Sequence, residues 1–275
     1  MFELRKKSSI VEVGGVRLGG NEHWVLIAGP CAIENRDMAL ETAGKISELA
    51  SKYGIPYIFK GSYDKANRLS VNSKRGIGIE EGLEILGEIK DDLHIPTLTD
   101  IHDTYSPKKA VKYVDCLQIP AFLCRQTDIV AAAARTGLPL NIKKGQFLAP
   151  QDMLHIAEKA RESGASGIML TERGTTFGYR DLVVDMRSIP LMAESGCPIV
   201  ADVSHCQQKP GNTNGSTGGD RRFIPHIALA ALALEVDAIY IEVHPDPKNA
   251  ISDKDTQYPL DEFGDFLELL VNRYR

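Results

Sequence analysis

The sequence predicts one α/β domain folded as a closed (β/α)8 barrel, the TIM-barrel class. Three observations favour this class: short apolar runs alternate with amphipathic stretches of helical spacing, eight such units follow one another, and no proline- or serine-rich linker divides the 275 residues. Parallel strands need crossover connections, so alternating strands and helices favour a parallel sheet. No G-x-G-x-x-G motif follows the first apolar run, which counts against a dinucleotide-binding fold.

A β-hairpin is predicted ahead of the barrel. Residues 10–18 alternate apolar and polar side chains on both sides of Gly14-Gly15, a pattern typical of a two-residue turn. We expect residues 1–20 to form this extension and to cap the bottom of a barrel that comprises residues 21–275. The predicted strands are residues 24–28, 57–60, 97–99, 116–119, 140–142, 167–170, 199–203 and 238–243; the predicted helices are residues 37–53, 80–90, 107–113, 127–136, 150–163, 188–194, 225–234 and 260–274.

Composition narrows the classes of partner. The formal net charge of −5 argues against nucleic acid, because a phosphate backbone requires a broad basic face. No apolar run reaches the length of a membrane span, and the charged N-terminus does not resemble a signal peptide, so a cytoplasmic protein is expected. Five cysteines, an odd and sparse number for this length, predict thiols rather than a disulfide framework.

Most of the charged residues that are candidates for a binding site lie at the ends of the predicted strands. Lys143 and Lys144 end one strand, where a lysine pair suits a phosphate better than it suits solubility. The active site of a barrel lies at the carboxyl ends of its strands, and all eight predicted ends carry polar or reactive groups. These are Cys31; Lys60, Asp64, Lys65 and Arg68; Asp100 and His102; Gln118 and Arg125; Lys143 and Lys144; Glu172 and Arg173; Asp202 and His205; Glu242 and His244.

The basic residues among them predict that two anionic groups bind at one opening of the barrel. So many cations would repel one another unless anions lay between them, and guanidinium groups suit phosphate geometry. Two alternatives remain open: Lys65 as a solvated side chain, and Arg125 as a residue that reaches across a subunit interface. The set is Lys60, Lys65, Arg68, Arg125, Lys143 and Arg173.

A second set has the chemistry of a metal site. The set is Cys31, His205, Glu242 and Asp253. Cys31 follows the first predicted strand, His205 follows the seventh and Glu242 lies on the eighth, and these strands are neighbours once the barrel closes. Mixed S, N and O ligands suit a borderline ion such as Zn²⁺ or Fe²⁺. Cys31 as a small buried hydrophobe is the competing interpretation. Cys206 is an alternative thiol, although adjacent side chains on a strand point to opposite faces. Residues 209–219 predict a long glycine-rich loop, either a lid or a linker.

Several specific motifs follow the hairpin along nearly all of the chain. They are Gly29-Pro30-Cys31, FKGSYDKANR at residues 59–68, QIPAFLCRQTD at 118–128, NIKKGQ at 141–146, ERG at 172–174, FGY at 177–179, VVDMR at 183–187, DVSH at 202–205 and HPDP at 244–247. Together these motifs resemble the 3-deoxy-D-manno-octulosonate 8-phosphate (KDO8P) synthases, within the superfamily that also contains the DAHP synthases.

The resemblance implies a (β/α)8 enzyme that joins phosphoenolpyruvate to D-arabinose 5-phosphate and water, releasing inorganic phosphate. It implies a transferase of KDO biosynthesis, serving lipopolysaccharide or capsule, that forms a homotetramer. It also implies specific roles. Lys60, Ser62, Lys65, Gln118, Lys143 and Arg173 would surround phosphoenolpyruvate, while Asn67, Arg68 and Arg125 of a neighbouring subunit would bind the sugar phosphate.

Cysteine at position 31, with Ser252-Asp253 and Thr256-Gln257, resembles the metal-dependent branch of that family. The resemblance therefore implies a divalent metal ion such as Zn²⁺, Fe²⁺ or Mn²⁺. As a mechanism we expect Lys65 or His205 to move protons and Asp253 to orient water.

One departure bears on the acceptor. Leu69 stands where the family usually has a serine or threonine that helps to bind the sugar phosphate. Three alternatives stay open: erythrose 4-phosphate as acceptor, as in the DAHP synthases; a metal-dependent pyruvate aldolase; and a non-catalytic sugar-phosphate sensor. Ala66-Asn67 argues against the first alternative and the metal set argues against the third.

Overall fold

The computed structural model describes Leu4 and residues 6–20, 23–66, 75–210 and 218–274. In chain order its strands are β1 (Val11–Val13), β2 (Val16–Leu18), β3 (Val25–Gly29), β4 (Tyr57–Lys60), β5 (Thr97–Asp100), β6 (Cys116–Ile119), β7 (Leu140–Lys143), β8 (Ile168–Glu172), β9 (Thr175–Phe177), β10 (Asp181–Val183), β11 (Ile199–Asp202), β12 (Gln208–Lys209), β13 (Gly218–Gly219), β14 (Ala238–His244) and β15 (Tyr258–Pro259).

The helices lie mainly between these strands. They are α1 (Arg36–Tyr53), α2 (Ile79–Asp92), α3 (Ser106–Ala110), α4 (Thr127–Ala134), α5 (Asp152–Glu162), α6 (Ser188–Ala193), α7 (Ile224–Ala233) and α8 (Phe263–Arg273), with 3-10 turns at Ala121–Leu123, His205–Gln207 and Arg221–Phe223.

The predicted closed barrel is confirmed. Strands β3 to β8 pair in parallel with their neighbours in chain order, β8 pairs with β11, and β11 pairs with β14. Strand β14 also pairs in parallel with β3, with Glu242 opposite Gly29, so the sheet has no open side between these strands. All eight barrel strands are buried along their whole length, as a sheet covered by helices on one face and packed on itself on the other requires.

The core has two layers. Between strands and helices, residues such as Phe59, Ile142 and Leu267 form the larger apolar cluster. Inside the barrel a smaller cluster includes Ile27 and Tyr240, and the hairpin residues Val11, Val13 and Leu18 join it. The hairpin β1–β2 therefore caps the bottom of the barrel, leaving the top for the polar strand ends.

Helix ends follow from local sequence. Asn35 caps α1 by accepting a hydrogen bond from the Met38 backbone N–H at 2.9 Å, and Gly54 ends the helix at φ 68°. Helix α3 is shorter than predicted, because the Tyr113 N–H bonds to the Ala110 carbonyl at 2.9 Å and closes the chain into a tight turn before β6. None of the described helices combines the length and the apolar character needed to cross a bilayer.

Five of the described strands were not predicted: β9, β10, β12, β13 and β15. Strands β9 and β10 form an antiparallel hairpin that follows β8, in a stretch for which neither a strand nor a helix was predicted. The last helix begins at Phe263 rather than at residue 260, because Tyr258 and Pro259 first pair with Val243 and His244 of β14. This added pairing holds the preceding segment, which carries Asp253, against the top of the barrel.

Candidate active site

A cavity of about 350 Å³ opens at the carboxyl ends of the barrel strands. Seven of the predicted site residues line it: Lys60, Lys65, Gln118, Lys143, Arg173, His205 and Asp253. Asn67 and Arg68, like Leu69, lie outside the described residues. The strand ends therefore converge on one space, as the barrel geometry predicts.

Lys60 ends β4 and is almost fully buried, at 1% exposure. Its Nζ lies 2.8 Å from Ser62 Oγ, 3.3 Å from Glu242 Oε1 and 3.6 Å from Asp100 Oδ2. Burial lowers the pKa of Lys60, but the carboxylates of Asp100 and Glu242 outweigh burial and leave that pKa raised. Lys60 therefore keeps its positive charge inside the site.

Ser62 lies behind the lysines rather than on the cavity wall. It is fully buried, and its Oγ accepts hydrogen bonds from Lys60 and from Lys65 Nζ at 3.1 Å while it donates to Asp100 Oδ2. Ser62 thus fixes the spacing of two ammonium groups.

Lys143, at the end of β7, is held by groups of three kinds. Its Nζ donates to Asp202 Oδ2 at 2.7 Å, lies 3.3 Å from His205 Nδ1, and lies 3.9 Å from the centre of the Tyr240 ring. Burial lowers the pKa of Lys143, and the attraction of Asp202 offsets this only in part, because Lys60 opposes it. Its charge therefore depends on the Asp202 carboxylate, whose own pKa is lowered, against burial, by His205 and Lys143.

Arg173 follows β8, and its two terminal guanidinium nitrogens differ in their contacts. It is 4% exposed, and its Nη2 donates to Gln208 Oε1 at 2.6 Å. Its Nη1 is buried and, among the described residues, has no hydrogen-bond partner. A buried guanidinium nitrogen left unsatisfied at a cavity is a donor available to an anion. Gln208 was missed by sequence reasoning, since a lone glutamine after a histidine carries no signal of its own.

Gln118 belongs to a chain of hydrogen bonds across four adjacent strands. Its Nε2 donates to Asp100 Oδ1, its Oε1 accepts from Asn141 Nδ2 at 2.9 Å, and Asn141 Oδ1 accepts from Thr171 Oγ1. Each amide is oriented by its neighbour, so this floor of the cavity is rigid.

The four predicted metal ligands come together. One ligand atom from each of Cys31, His205, Glu242 and Asp253 lies within 4.8 Å of the others. Cys31 Sγ is 3.0 Å from Asp253 Oδ2, and His205 Nε2 is 3.4 Å from Glu242 Oε1. The set offers one sulfur, one imidazole nitrogen and two carboxylates, which suits a borderline divalent ion.

Three further observations show that these residues fit a cation. Glu242 Oε2 is buried and has no hydrogen-bond partner among the described residues. His205 Nδ1 lies 2.8 Å from Asp202 Oδ2, which leaves Nε2 turned to the other ligands, as in carboxylate-oriented metal histidines. Burial, with Asp253 and Glu242, raises the pKa of the Cys31 thiol, so without a cation it keeps the proton that it donates to Asp253. A divalent ion would displace that proton.

Several residues named from the sequence lie outside this arrangement. Arg125 is exposed and does not line the cavity of its own chain. Lys144 does not join Lys143, because successive strand residues face opposite ways; it is buried, 2.9 Å from Thr175 Oγ1. His244 Nε2 lies 3.2 Å from Glu34 Oε1, and Cys206 Sγ donates to the Val203 carbonyl at 3.4 Å.

Comparison with known proteins gives a consistent family. The chain matches the DAHP synthetase I family over residues 2–274. It is 50% identical over 264 residues to the 2-dehydro-3-deoxyphosphooctonate aldolase of Granulibacter bethesdensis, covering 96% of this chain and 94% of that protein. It is 49% identical over 270 residues to the protein of the same name from Methylococcus capsulatus, covering 98% and 95%, and 49% identical over 256 residues to that of Legionella pneumophila, covering 93% of each.

Proposed function

The chain belongs to the DAHP synthetase I family, and from its likeness to the relatives named 2-dehydro-3-deoxyphosphooctonate aldolase we propose that it is a KDO8P synthase. It condenses phosphoenolpyruvate with D-arabinose 5-phosphate and water, giving 3-deoxy-D-manno-octulosonate 8-phosphate and inorganic phosphate. The observation that carries the proposal is the convergence of Lys60, Lys65, Lys143 and Arg173 with a four-ligand metal set around one cavity. Two phosphorylated substrates account for this number of buried cations.

The cations bind and orient phosphoenolpyruvate. Arg173 Nη1 and Lys143 Nζ supply donors for its phosphate and carboxylate oxygens, and Lys60 adds a charge that the surrounding carboxylates keep in place. Fixed donors that are already charged stabilise the additional negative charge of the transition state without reorganising at the moment of reaction.

The reaction proceeds through a hemiketal phosphate. C3 of phosphoenolpyruvate attacks the aldehyde carbon, and the aldehyde oxygen takes a proton. Water adds to C2 and gives up one proton, which balances the proton taken by the aldehyde oxygen. The C2–O bond to phosphate in the resulting hemiketal phosphate then breaks while the hemiketal hydroxyl gives its proton to the departing phosphate, leaving a ketone. We assign the proton transfers to Lys65 or His205, which both line the cavity, and the orientation of water to Asp253.

We propose that Cys31, His205, Glu242 and Asp253 hold a divalent metal ion such as Zn²⁺, Fe²⁺ or Mn²⁺, as in the metal-dependent branch of the family. When bound, such an ion polarises a carbonyl oxygen or lowers the pKa of a bound water. The residues around it do the rest: Asp202 orients His205, and Gln257 Oε1 accepts from the Cys31 N–H at 2.9 Å and holds the thiol in place.

The sugar phosphate requires a second set of donors. We propose that Asn67 and Arg68 bind it together with Arg125 of a neighbouring subunit in a homotetramer. The exposure of Arg125, away from the cavity of its own chain, supports a role at another subunit's site.

Phosphate release tests the function directly. The metal-loaded protein is incubated with phosphoenolpyruvate and a panel of aldose phosphates, and inorganic phosphate is measured. D-arabinose 5-phosphate should be the best acceptor, and Lys143→Met should lose most of the rate, while Lys45→Met, on the exposed face of α1, should keep it. A preference for erythrose 4-phosphate would overturn the acceptor assignment; reversible formation of pyruvate without phosphate release would indicate an aldolase.

A further inference from the structure

Gln208 joins the two halves of the site. It lies on β12, three residues after His205, and its amide contacts one residue from each half. Oε1 accepts from Arg173 Nη2 at 2.6 Å, and Nε2 donates to Asp253 Oδ1 at 2.8 Å. We propose that Gln208 is a positioning residue that couples anion binding at Arg173 to metal binding at Asp253. This inference rests on the proposed function of both sites.

The chemistry of the two partners fixes the amide in one orientation. A guanidinium group only donates hydrogen bonds and a carboxylate only accepts them, so the Gln208 carbonyl must face Arg173 and its NH₂ must face Asp253. Reversing the amide would set donor against donor and acceptor against acceptor. Both contacts involve a charged group, which makes them stronger than bonds between neutral groups.

The Gln208 bridge uses one atom of each partner and leaves another atom of that partner to its ligand. Arg173 uses Nη2 for Gln208 and has Nη1 left for an anion. Asp253 uses Oδ1 for Gln208, while its Oδ2 is the oxygen that meets Cys31 Sγ, within the metal set. Neither ligand therefore has to displace the glutamine.

Asp253 needs such support. Its φ of 46° lies in the left-handed region, which few residues other than glycine, asparagine and aspartate adopt. Its carbonyl accepts from the N–H groups of Thr256 and Gln257, both at 3.0 Å, so the residue sits at the head of a turn. The Gln208 amide is the described contact that ties this turn to the anion-binding side of the cavity.

Anion binding and metal binding are coupled because each ligand orders the same hydrogen-bonded side chains. When an anion orders Arg173, it also orders Gln208 and, through it, Asp253; a metal that binds next finds its ligand already placed. The effect is reciprocal, because a coupling free energy between two sites acts equally on both ligands. Through-space attraction between the anion and the metal adds to the coupling, but it does not depend on Gln208.

The test measures Zn²⁺ affinity by competition with a chromophoric chelator, without and with saturating phosphoenolpyruvate and with no aldose present. Gln208→Met and Gln208→Leu remove both hydrogen bonds at similar volume. Gln207→Met is the matched control, since Gln207 Nε2 contacts Cys206 Sγ and does not line the cavity. The ratio of the two Zn²⁺ affinities in one preparation is the coupling factor, and a fraction of irreversibly denatured protein cancels from it.

We expect Zn²⁺ to bind about tenfold more weakly in both Gln208 variants, as for other residues that orient metal ligands. The coupling factor, about fivefold or more in the unaltered protein, should fall in both variants to the smaller value that through-space attraction alone supplies, and it should stay unchanged in Gln207→Met. An unaltered coupling factor in the Gln208 variants would overturn the inference while leaving the proposed function intact. If the unaltered protein bound neither Zn²⁺ nor phosphoenolpyruvate, the proposed function would fall as well.

Discussion

Asp202→Asn tests how the site keeps Lys143 charged. The carboxylate accepts from Lys143 Nζ at 2.7 Å and lies 2.8 Å from His205 Nδ1, with both partners largely buried. Asparagine keeps one oxygen for the backbone N–H groups of Ser204 and His205, which bond to Oδ1 at 3.2 and 2.9 Å. Its NH₂ group then faces the lysine, donor against donor.

Breaking a buried ion pair costs about 3–5 kcal/mol. Lys143 can avoid most of this cost by losing its proton, because burial already lowers its pKa and the attraction of Asp202 is gone. A neutral amine no longer attracts the negative charge of phosphoenolpyruvate. Loss of an interaction of about 1.5–3 kcal/mol should weaken the binding of phosphoenolpyruvate about 10- to 100-fold at neutral pH.

The charge of Lys143 also makes the binding of phosphoenolpyruvate depend on pH. Lys143 loses its charge as the pH rises through its pKa, and in Asp202→Asn that pKa lies lower than in the unaltered protein. Binding of phosphoenolpyruvate by the variant should therefore begin to weaken at a lower pH than binding by the unaltered protein.

Calorimetric titration of the metal-free protein with phosphoenolpyruvate measures this directly. Lys143→Met alone and combined with Asp202→Asn complete a double-mutant cycle, and the two changes should be far from additive because they act on one charge. Wild-type affinity with an unchanged pH profile in Asp202→Asn would refute the reasoning.

Three further changes test other parts of the account. Cys31→Ala should weaken Zn²⁺ binding at least about tenfold and lose phosphate release that added Zn²⁺ does not restore, since one of four ligands is gone; full restoration by Zn²⁺ would count against the metal set. Arg125→Ala and Lys60→Met should each be inactive, but coexpression should restore activity in hybrids, where a Lys60→Met subunit lends its arginine to the intact cavity of its neighbour; no recovery would argue against the shared site. The pKa of Asp100 is held well below its usual value because Lys60 and Lys65 outweigh burial, so its contribution to stability is present above about pH 4 and is lost as the pH falls through its folded pKa. Denaturant unfolding should show Asp100→Asn less stable than the unaltered protein at neutral pH by a margin that shrinks in acid; a margin independent of pH would contradict this assignment.

Much of the site could be predicted because a closed parallel barrel brings all its strand ends to one face. Lys60, Lys143 and Arg173 lie far apart in the sequence, yet each follows a barrel strand and all three line one cavity. The metal set was predicted for the same reason, since β3, β11 and β14 are adjacent once the sheet closes.

What the sequence did not reveal depends on side-chain direction and on loops. Lys143 and Lys144 cannot be told apart from the sequence. Because successive strand residues face opposite ways, the Lys143 side chain lines the cavity and the Lys144 side chain contacts Thr175. Arg125 follows a strand, but the 3-10 turn Ala121–Leu123 comes between them and leaves it exposed. Gln208 gains its role only from the fold of the segment after β11, which no periodicity indicates.

A crystal structure of the protein with Zn²⁺ and phosphoenolpyruvate would show whether the metal set and the cations of one cavity bind these two ligands side by side. We expect one anomalous scattering peak, from a Zn²⁺ ion bonded to Cys31 Sγ, His205 Nε2, Glu242 and Asp253. The phosphate group should lie within hydrogen-bond distance of Arg173 Nη1. A metal bound elsewhere, or phosphoenolpyruvate bound outside this cavity, would contradict it.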